Sequence, residues 1–152
     1  MNVFILDKSM EKSAQMLDDA HLISQINEGC QILMANYNKT NNPMARIGHI
    51  NHPVTIFYSA YIESTELLNY LCELISEYKI RFGKSHQNKF WVDGYIQELG
   101  VIEYKSVFSE SKTLVNDHMT DNIEEIREYI MNKPHKRALK WTNRDKPDWW
   151  EV

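Results

Sequence analysis

Glu28 is the only formally charged residue over positions 20–38, in a segment whose pattern is helical. It shares one helical stripe with three uncharged polar residues at steps of three and four, namely His21, Ser24 and Gln31. A solvated face is one interpretation of this stripe. Exposed faces usually carry several Lys, Arg and Glu, whereas here neutral hydrogen-bonding groups surround a single carboxylate. The stripe is therefore also a candidate site for acid–base chemistry.

A second candidate is the run Gly-His-Ile-Asn-His-Pro at positions 48–53, which ends a long polar loop. His49 and His52 are spaced so that both can bind one metal ion. A site of this kind needs a third and a fourth ligand, and the sequence has no HExxH-like pattern that would supply them. Asn51 and His52 at a helix start also suit an anion such as phosphate. Capping of that helix by the same two side chains is an equal alternative. We predict no metal and no cofactor.

Two basic stretches are the third candidate. Residues 133–152 carry six basic and three acidic residues interleaved with tryptophans, and residues 79–89 contain four Lys or Arg with His86 and no acid. Basic groups neutralise phosphates, and indole rings pack against bases or sugars. The alternative for the tail is that its tryptophans dock onto the core.

The elements that must position these groups are mainly helical. With 152 residues, 43% of them apolar, the chain predicts one compact domain over 1–152, with a basic, Trp-rich tail at 133–152. We expect a bundle of three main helices with long loops. The predicted segments are a short helix from Ser9 to Leu17, helices over about 19–37 and 53–82, a shorter helical segment at 84–99, and a helix at 122–132 capped by Asp121.

Two further expectations concern the core. The helix at 19–37 should bury one apolar face made of Ile23, Ile26, Cys30, Leu33, Met34 and Tyr37. The N-terminal run MNVFILD is too short to assign by period, so it predicts either an edge strand or an anchored segment.

Charge and missing motifs narrow the function classes. The net charge of −4 combines +3 on residues 133–152 with −7 on the first 132 residues, which counts against a general polyanion binder. No phosphate-binding Gly-rich loop and no GxSxG elbow is present, which argues against P-loop nucleotide hydrolysis and serine hydrolase chemistry. No signal peptide or membrane span is predicted, so we expect a cytoplasmic protein with two free cysteines.

The stretch LDDAHLISQINEGCQIL (17–33), followed by GHINHPVTIFYSAYIESTELLNYLCELISEYKIRFG (48–83), resembles the pyrimidine-dimer DNA glycosylases of the endonuclease V type from T-even phages and their uncharacterised phage and bacterial relatives. KPDWW near the C-terminus is similar to the terminal aromatic motif of that family. The resemblance implies a helical DNA-repair enzyme that flips a nucleotide, cleaves the N-glycosidic bond and nicks the backbone. For a phage-encoded protein, it implies the host cytoplasm.

The resemblance also implies residue roles. Glu28 matches the catalytic glutamate, His21 the histidine on the same helix, and His52 the histidine before Val-Thr. The family nucleophile is the α-amine exposed when the initiator methionine is removed before a small threonine. Here Asn2 stands in that place and disfavours removal, so either the amine of Met1 serves as the nucleophile or the imine chemistry is lost. The expected catalytic residues are Glu28, His21, His52 and Met1. The residues expected to bind substrate are Asn27 and Gln31, which replace arginines of the family, together with Asn51, Arg81, Lys84, His86, Lys136, Arg137 and Lys140.

This chemistry is physically coherent. Breaking a C1′–N bond develops positive charge on the sugar, which a carboxylate stabilises. An α-amine with a pKa of about 8 in model peptides is partly neutral at pH 7 and attacks C1′ to give an imine. We therefore predict a DNA N-glycosylase with abasic-site lyase activity. The alternatives are an enzyme of the same fold acting on a free or modified nucleotide, and a non-catalytic nucleic-acid-binding protein.

Two geometric expectations follow. The apolar residues 3–6 should pack so that residue 1 or 2 lies within a few ångströms of Glu28, because covalent catalysis needs near-attack geometry. The basic residues should lie on the same side as Glu28, because backbone contacts must offset the cost of extruding a nucleotide.

Overall fold

The computed structural model describes residues 1–41, 50–100, 102–135 and 137–151. Within them the fold is mainly α, which confirms the predicted fold class. The helices are α1 (Met10–Met16), α2 (Asp19–Asn41), α3 (Pro53–Phe57), α4 (Tyr61–Phe82), α5 (Lys89–Leu99) and α6 (Ile123–Asn132). No helix in these ranges is long and apolar enough to cross a bilayer.

The long helices α2 and α4 pack against each other and form the centre of the core. Gly29 of α2 allows their close approach, because a Cβ atom at this position would lie 2.7 Å from Cδ2 of the buried Leu71 on α4. The predicted apolar face of α2 is partly wrong. Ile26, Cys30 and Leu33 are buried, but Ile23 and Met34 are 39% and 40% exposed. Leu22 and Ile32 are buried instead, so the buried face is rotated about the helix axis.

The predicted helix over 53–82 is two helices. α3 ends at Phe57, and α4 begins after Ala60, whose backbone is extended. Tyr58 lies between them with its ring fully buried, and its hydroxyl donates to the carbonyl of Lys112 at 2.7 Å. Gly83 ends α4 as predicted, with φ of 73° in the left-handed region that glycine adopts without strain.

Other helix ends differ slightly from the predictions. Ser9 caps α1, but α2 runs to Asn41, past the predicted end at residue 37. α6 is capped by Asn122, whose side chain accepts from the N–H of Glu125, and the predicted cap Asp121 lies one residue too early.

The region predicted as a loop before α6 contains an antiparallel hairpin of β1 (Thr113–Val115) and β2 (His118–Thr120). Asn116 in the turn has φ of 56°, a left-handed conformation that Asn tolerates better than most residues. Strands of three residues are too short to give an alternating pattern, which explains why the sequence did not predict them.

The N-terminal residues 1–6 form an anchored segment, not a strand of a sheet. Val3, Phe4, Ile5 and Leu6 are at most 2% exposed. Side chains from elsewhere in the chain satisfy their backbone groups. Thr113 bonds to Val3 and Ile5, Ser13 donates to the carbonyl of Phe4 and accepts from the N–H of Leu6, and Tyr70 donates to the carbonyl of Phe4.

The C-terminal tail crosses the start of α2 and the end of α4. The N–H of Asp19 donates to the carbonyl of Lys140 at 2.8 Å, and the indole of Trp141 donates to the carbonyl of Met16 at 2.9 Å. Arg144 binds Glu77 of α4 through two hydrogen bonds. Trp150 is 1% exposed, so at least this tryptophan docks onto the core.

Candidate functional site

The centre of the candidate site is an ion pair between the first residue and the middle of α2. The α-amino nitrogen of Met1 lies 3.4 Å from Oε1 of Glu28. The side chain of Met1 is 4% exposed, whereas that of Glu28 is 27% exposed and open to a ligand. The predicted packing of residues 3–6 and the predicted closeness of residue 1 to Glu28 are both confirmed.

Side chains from two helices hold this pair. The hydroxyl of Thr55 on α3 donates to the sulfur of Met1 at 3.3 Å, and Asn36 of α2 donates to the carbonyl of Thr55 at 3.0 Å. Gln25 of α2 donates to Oε2 of Glu28 at 3.0 Å. One oxygen of the Glu28 carboxylate therefore lies at the α-amine of Met1, and the other accepts a hydrogen bond from the buried side-chain amide of Gln25.

His21 lies two helical turns before Glu28 on α2. Its Nδ1 is 2.5 Å from Oδ1 of Asp18, whose side chain is almost fully buried. The ring packs edge-on against Phe4 of the N-terminal segment and against His135 of the tail, each with centroids 5.7 Å apart. His21 therefore connects the N-terminal segment with the tail, and Asp18 fixes the orientation of its ring.

The histidine loop is described only from residue 50. His52 is the N-cap of α3, where its Nδ1 accepts from the N–H of Val54 at 3.2 Å, and Asn51 is exposed beside it. The capping alternative is thus observed for His52. His49 lies outside the described residues. Within those residues, no group of three or more His, Cys, Asp or Glu is arranged to hold a metal ion.

Three predicted substrate-binding residues lie around α2 and the start of α5. Gln31 is exposed on α2. The side chain of Asn27 accepts a hydrogen bond at 3.0 Å from that of Asn88, the residue directly before α5. His86 is buried, accepts from the N–H of Asn88, and packs edge-on against Tyr78, and burial lowers the pKa of its imidazole. Asn27 and His86 therefore have structural partners in this fold.

The placement of Arg81 corrects an expectation. This arginine was expected at the substrate surface, but its side chain has no exposed area. Its guanidinium binds Glu77 and Asp19 and donates to the carbonyls of Ala14 and Gln15. It joins α1, α2 and α4, and a DNA backbone has no access to it.

The remaining basic candidates are exposed. Lys84 follows the end of α4, and Arg137 and Lys140 line a groove of about 510 Å³ in the tail. We call this the tail groove, and it is lined by His135, Arg137, Ala138, Leu139, Lys140, Trp141, Arg144 and Lys146. Lys136 lies outside the described residues. In the described part of the chain, Nε2 of His135 is buried without a hydrogen-bond partner.

Sequence reasoning missed several residues of the site. Lys133 lies 4.9 Å above the ring of Phe4, and Tyr129 stacks against the same ring. Asp18 and Gln25 contact the predicted residues His21 and Glu28. The signal for Gln25 was its position three residues before Glu28, where helix side chains meet. Tyr129 and Lys133 had no such signal, because their contacts span more than a hundred positions.

Cys30 of α2 does not contribute a nucleophile to this site. Cys30 is buried, and this burial raises the pKa of its thiol to about 11, although a hydrogen bond with Asn88 opposes the shift. The thiol is therefore protonated at neutral pH and unreactive.

One comparison with known proteins identifies a family. The family model described as pyrimidine dimer DNA glycosylase matches residues 1–90 of the 152, a range that includes Met1, His21, Glu28 and His52. No curated protein and no solved structure is similar enough to the chain to count as a match.

Proposed function

The chain belongs to the pyrimidine dimer DNA glycosylase family, and from this premise we propose that it excises a damaged pyrimidine with Glu28 and the α-amine of Met1 and then cleaves the abasic strand. The DNA glycosylase role follows from the family. The assignment of these two residues and the lyase step are the proposal.

The observation that carries the proposal is the 3.4 Å distance between the α-amino nitrogen of Met1 and Oε1 of Glu28. A nucleophile and the group that accepts its proton must lie within hydrogen-bond reach, often somewhat farther apart before substrate binds. The side chain of Glu28 is 27% exposed, so a ligand can reach its carboxylate from solvent.

In base excision, the α-amine of Met1 reacts in its neutral form, after one proton of the ammonium has passed to solvent. Its lone pair forms the new bond to C1′ as the C1′–N bond breaks, and the carboxylate of Glu28 stabilises the positive charge that develops on the sugar. The bonding electrons go to the base, which takes up a proton from water and stays joined to its neighbour through the cyclobutane ring. Glu28 then accepts the proton that the bonded Met1 nitrogen loses.

In the lyase step, the sugar ring opens and C1′ becomes an imine of the Met1 nitrogen. The imine withdraws electrons from C2′, so that C2′ loses a proton and the bond from C3′ to its phosphate oxygen breaks. The phosphate leaves with the strand end. Water then hydrolyses the imine and frees the amine.

Phosphate contacts would come from the exposed cations Lys84, Arg137 and Lys140 and from Lys136. His21 lies on α2 and His52 caps α3, the two helices that hold the amine–carboxylate pair, and we assign both histidines to the catalytic residues around it. Gln31, three residues after Glu28, and Asn51, directly before His52, are both exposed and complete the proposed polar surface.

Glu28→Gln tests this function. The substitution keeps the size of the side chain and removes its charge, so we expect base release and strand cleavage to fall by at least about 100-fold, while affinity for damaged duplex DNA stays within a few-fold. Both steps are measured on a duplex with one cyclobutane pyrimidine dimer: base release as the free base that appears after photoreversal of the dimer, and nicking as the shortened strand on a denaturing gel. Glu124→Gln, at an exposed position of α6, is the matched control. Full activity of Glu28→Gln would remove Glu28 from the mechanism.

A further inference from the structure

Gln25 makes three hydrogen bonds, and all of them go to parts of the candidate site. Its Oε1 accepts from the N–H of Phe4 at 2.7 Å. Its Nε2 donates to the carbonyl of Asn2 at 3.1 Å and to Oε2 of Glu28 at 3.0 Å. The residue is 2% exposed, so water does not compete for these bonds.

The orientation of this amide is determined by its partners. A backbone N–H only donates, so the atom of Gln25 that faces Phe4 must be the oxygen. The amino group then faces a carbonyl and a carboxylate, which only accept. With the amide reversed, its amino group would face the N–H of Phe4, and its single oxygen would face two acceptors, the carbonyl of Asn2 and Oε2 of Glu28.

Other anchors hold the N-terminal segment without contacting Glu28. The side chain of Asn2 pairs with the backbone of Leu114 through bonds of 2.7 and 2.9 Å, and Thr113 bonds to Val3 and Ile5. Among the residues that the structure describes, Gln25 is the one whose side chain bonds both to this segment and to the carboxylate of Glu28.

We propose that Gln25 is a positioning residue that sets the distance between the α-amine of Met1 and the carboxylate of Glu28. The inference rests on the proposed function, in which these two groups react together. One planar amide joins the backbone at residues 2 and 4 to Glu28, so the position of the N-terminal segment relative to the carboxylate depends on this side chain.

Gln25→Leu and Thr113→Val form a matched pair for the test. Gln25→Leu removes the bonds to Phe4, Asn2 and Glu28 at similar volume. Thr113→Val removes two bonds to the same segment and leaves Glu28 untouched. A misplacement of about 1 Å costs about 100-fold in rate, so we expect kcat of Gln25→Leu to fall by about 100-fold with KM for damaged duplex DNA unchanged. Thr113→Val should stay within a few-fold of the parent at a similar loss of Tm.

A second readout does not depend on activity. With ¹³C-methyl-labelled methionine, we expect the Met1 methyl resonance of Gln25→Leu to move toward its position in a disordered chain, and the Phe4 amide to lose hydrogen-exchange protection. In Thr113→Val, the Met1 resonance should stay close to that of the parent. If Gln25→Leu does not fold, Gln25→Glu replaces it, because that variant keeps the acceptor for Phe4 and loses the donor to Glu28.

Equal activity and an unchanged Met1 resonance in Gln25→Leu would overturn the inference, as would equal effects of both variants. A parent protein that neither releases base nor forms a borohydride-trapped complex would instead refute the proposed function. The resonance and exchange data would still decide whether Gln25 positions Met1.

Discussion

At the scale of single residues, the isolation of Glu28 on α2 has a structural explanation. The carboxylate faces a cation that the helix does not supply, because the α-amine of Met1 comes from the segment packed against it. An additional lysine or arginine nearby would compete for the carboxylate oxygens. A helix face with one acidic residue is therefore consistent with a partner elsewhere in the chain.

An N-terminal extension tests this partnership. Extra residues before Met1 convert the amine into an amide, so we expect the borohydride-trapped complex with abasic DNA to fall to background. Base release should decrease less, because water can attack C1′ beside Glu28. The trapped complex is measured on a denaturing gel. Protease removal of the extension to restore Met1 is the control, and an extended protein that still traps DNA would exclude the α-amine.

At the scale of elements, Glu66 of α4 holds the segment before the hairpin. Its carboxylate accepts from the backbone N–H groups of residues 109–111, from the hydroxyls of Ser109 and Ser111, and from Lys105. Burial alone would raise the pKa of Glu66, but these donors outweigh it and hold the pKa at about 2. The segment thus depends on one ionised carboxylate.

Glu66→Gln tests that dependence through pH. The folded pKa of about 2 lies below the ordinary value of 4.5, so the carboxylate stabilises the fold above pH 4.5 and loses this effect as the pH falls toward 2. We expect Glu66→Gln to lower the free energy of unfolding by about 3 kcal/mol at pH 7 and by much less at pH 2.5. Urea unfolding at both pH values measures this. A pH-independent difference would contradict it.

Gly29 determines how closely α2 approaches α4. Alanine improves helix propensity by about 1 kcal/mol, but its Cβ would meet the buried side chain of Leu71. We expect Gly29→Ala to destabilise the protein by about 1–2 kcal/mol, and Leu71→Ala to cost less in that background than in the parent. Thermal unfolding of the parent, the two single variants and the double variant measures the coupling. A higher Tm for Gly29→Ala alone would contradict the close packing.

The sequence predicted the helices better than their joints. The long helices α2 and α4 were predicted from the periodicity of their apolar residues. Local residues marked the other limits, since Ser9 caps α1 and Gly83 ends α4. The break at Tyr58 was not predictable, because its hydroxyl bonds to Lys112 more than fifty positions away. In the site, Glu28 was predicted from its isolation on an otherwise uncharged helix stripe. Arg81 was predicted to be a surface cation, because the sequence does not show that the fold brings Glu77 and Asp19 together around its guanidinium.

At the scale of the whole molecule, charge is distributed unevenly. The net charge is −4, yet Arg137, Lys140 and Lys146 line the tail groove. Arg144 in the same groove is paired with Glu77 and contributes less free charge. His135 in the groove also packs against His21 of the site helix. A DNA strand in the tail groove would therefore lie next to the candidate site.

Neutralising the groove tests its contact with DNA. For Arg137→Gln with Lys140→Gln, we expect weaker DNA binding and a slope of log affinity against log salt that is shallower by about 2, because each lost phosphate contact contributes about 0.9. Fluorescence anisotropy at several salt concentrations measures it. Lys8→Gln with Lys12→Gln, two exposed lysines that lie just before and within α1, is the control. Equal slopes for both double variants would exclude the groove.

The anchoring of residues 2–5 by Thr113 and Leu114 also affects the order of events during translation. These partners lie more than a hundred positions apart, so the first residues leave the ribosome long before the strand that binds them. The apolar run Val-Phe-Ile-Leu then remains uncovered, a state in which chains recruit chaperones or aggregate. Pairings of such high contact order form slowly. The bonds from Gln25 to Asn2 and Phe4 become available once α2 has been synthesised, whereas those from Thr113 and Leu114 follow only after most of the chain has left the ribosome.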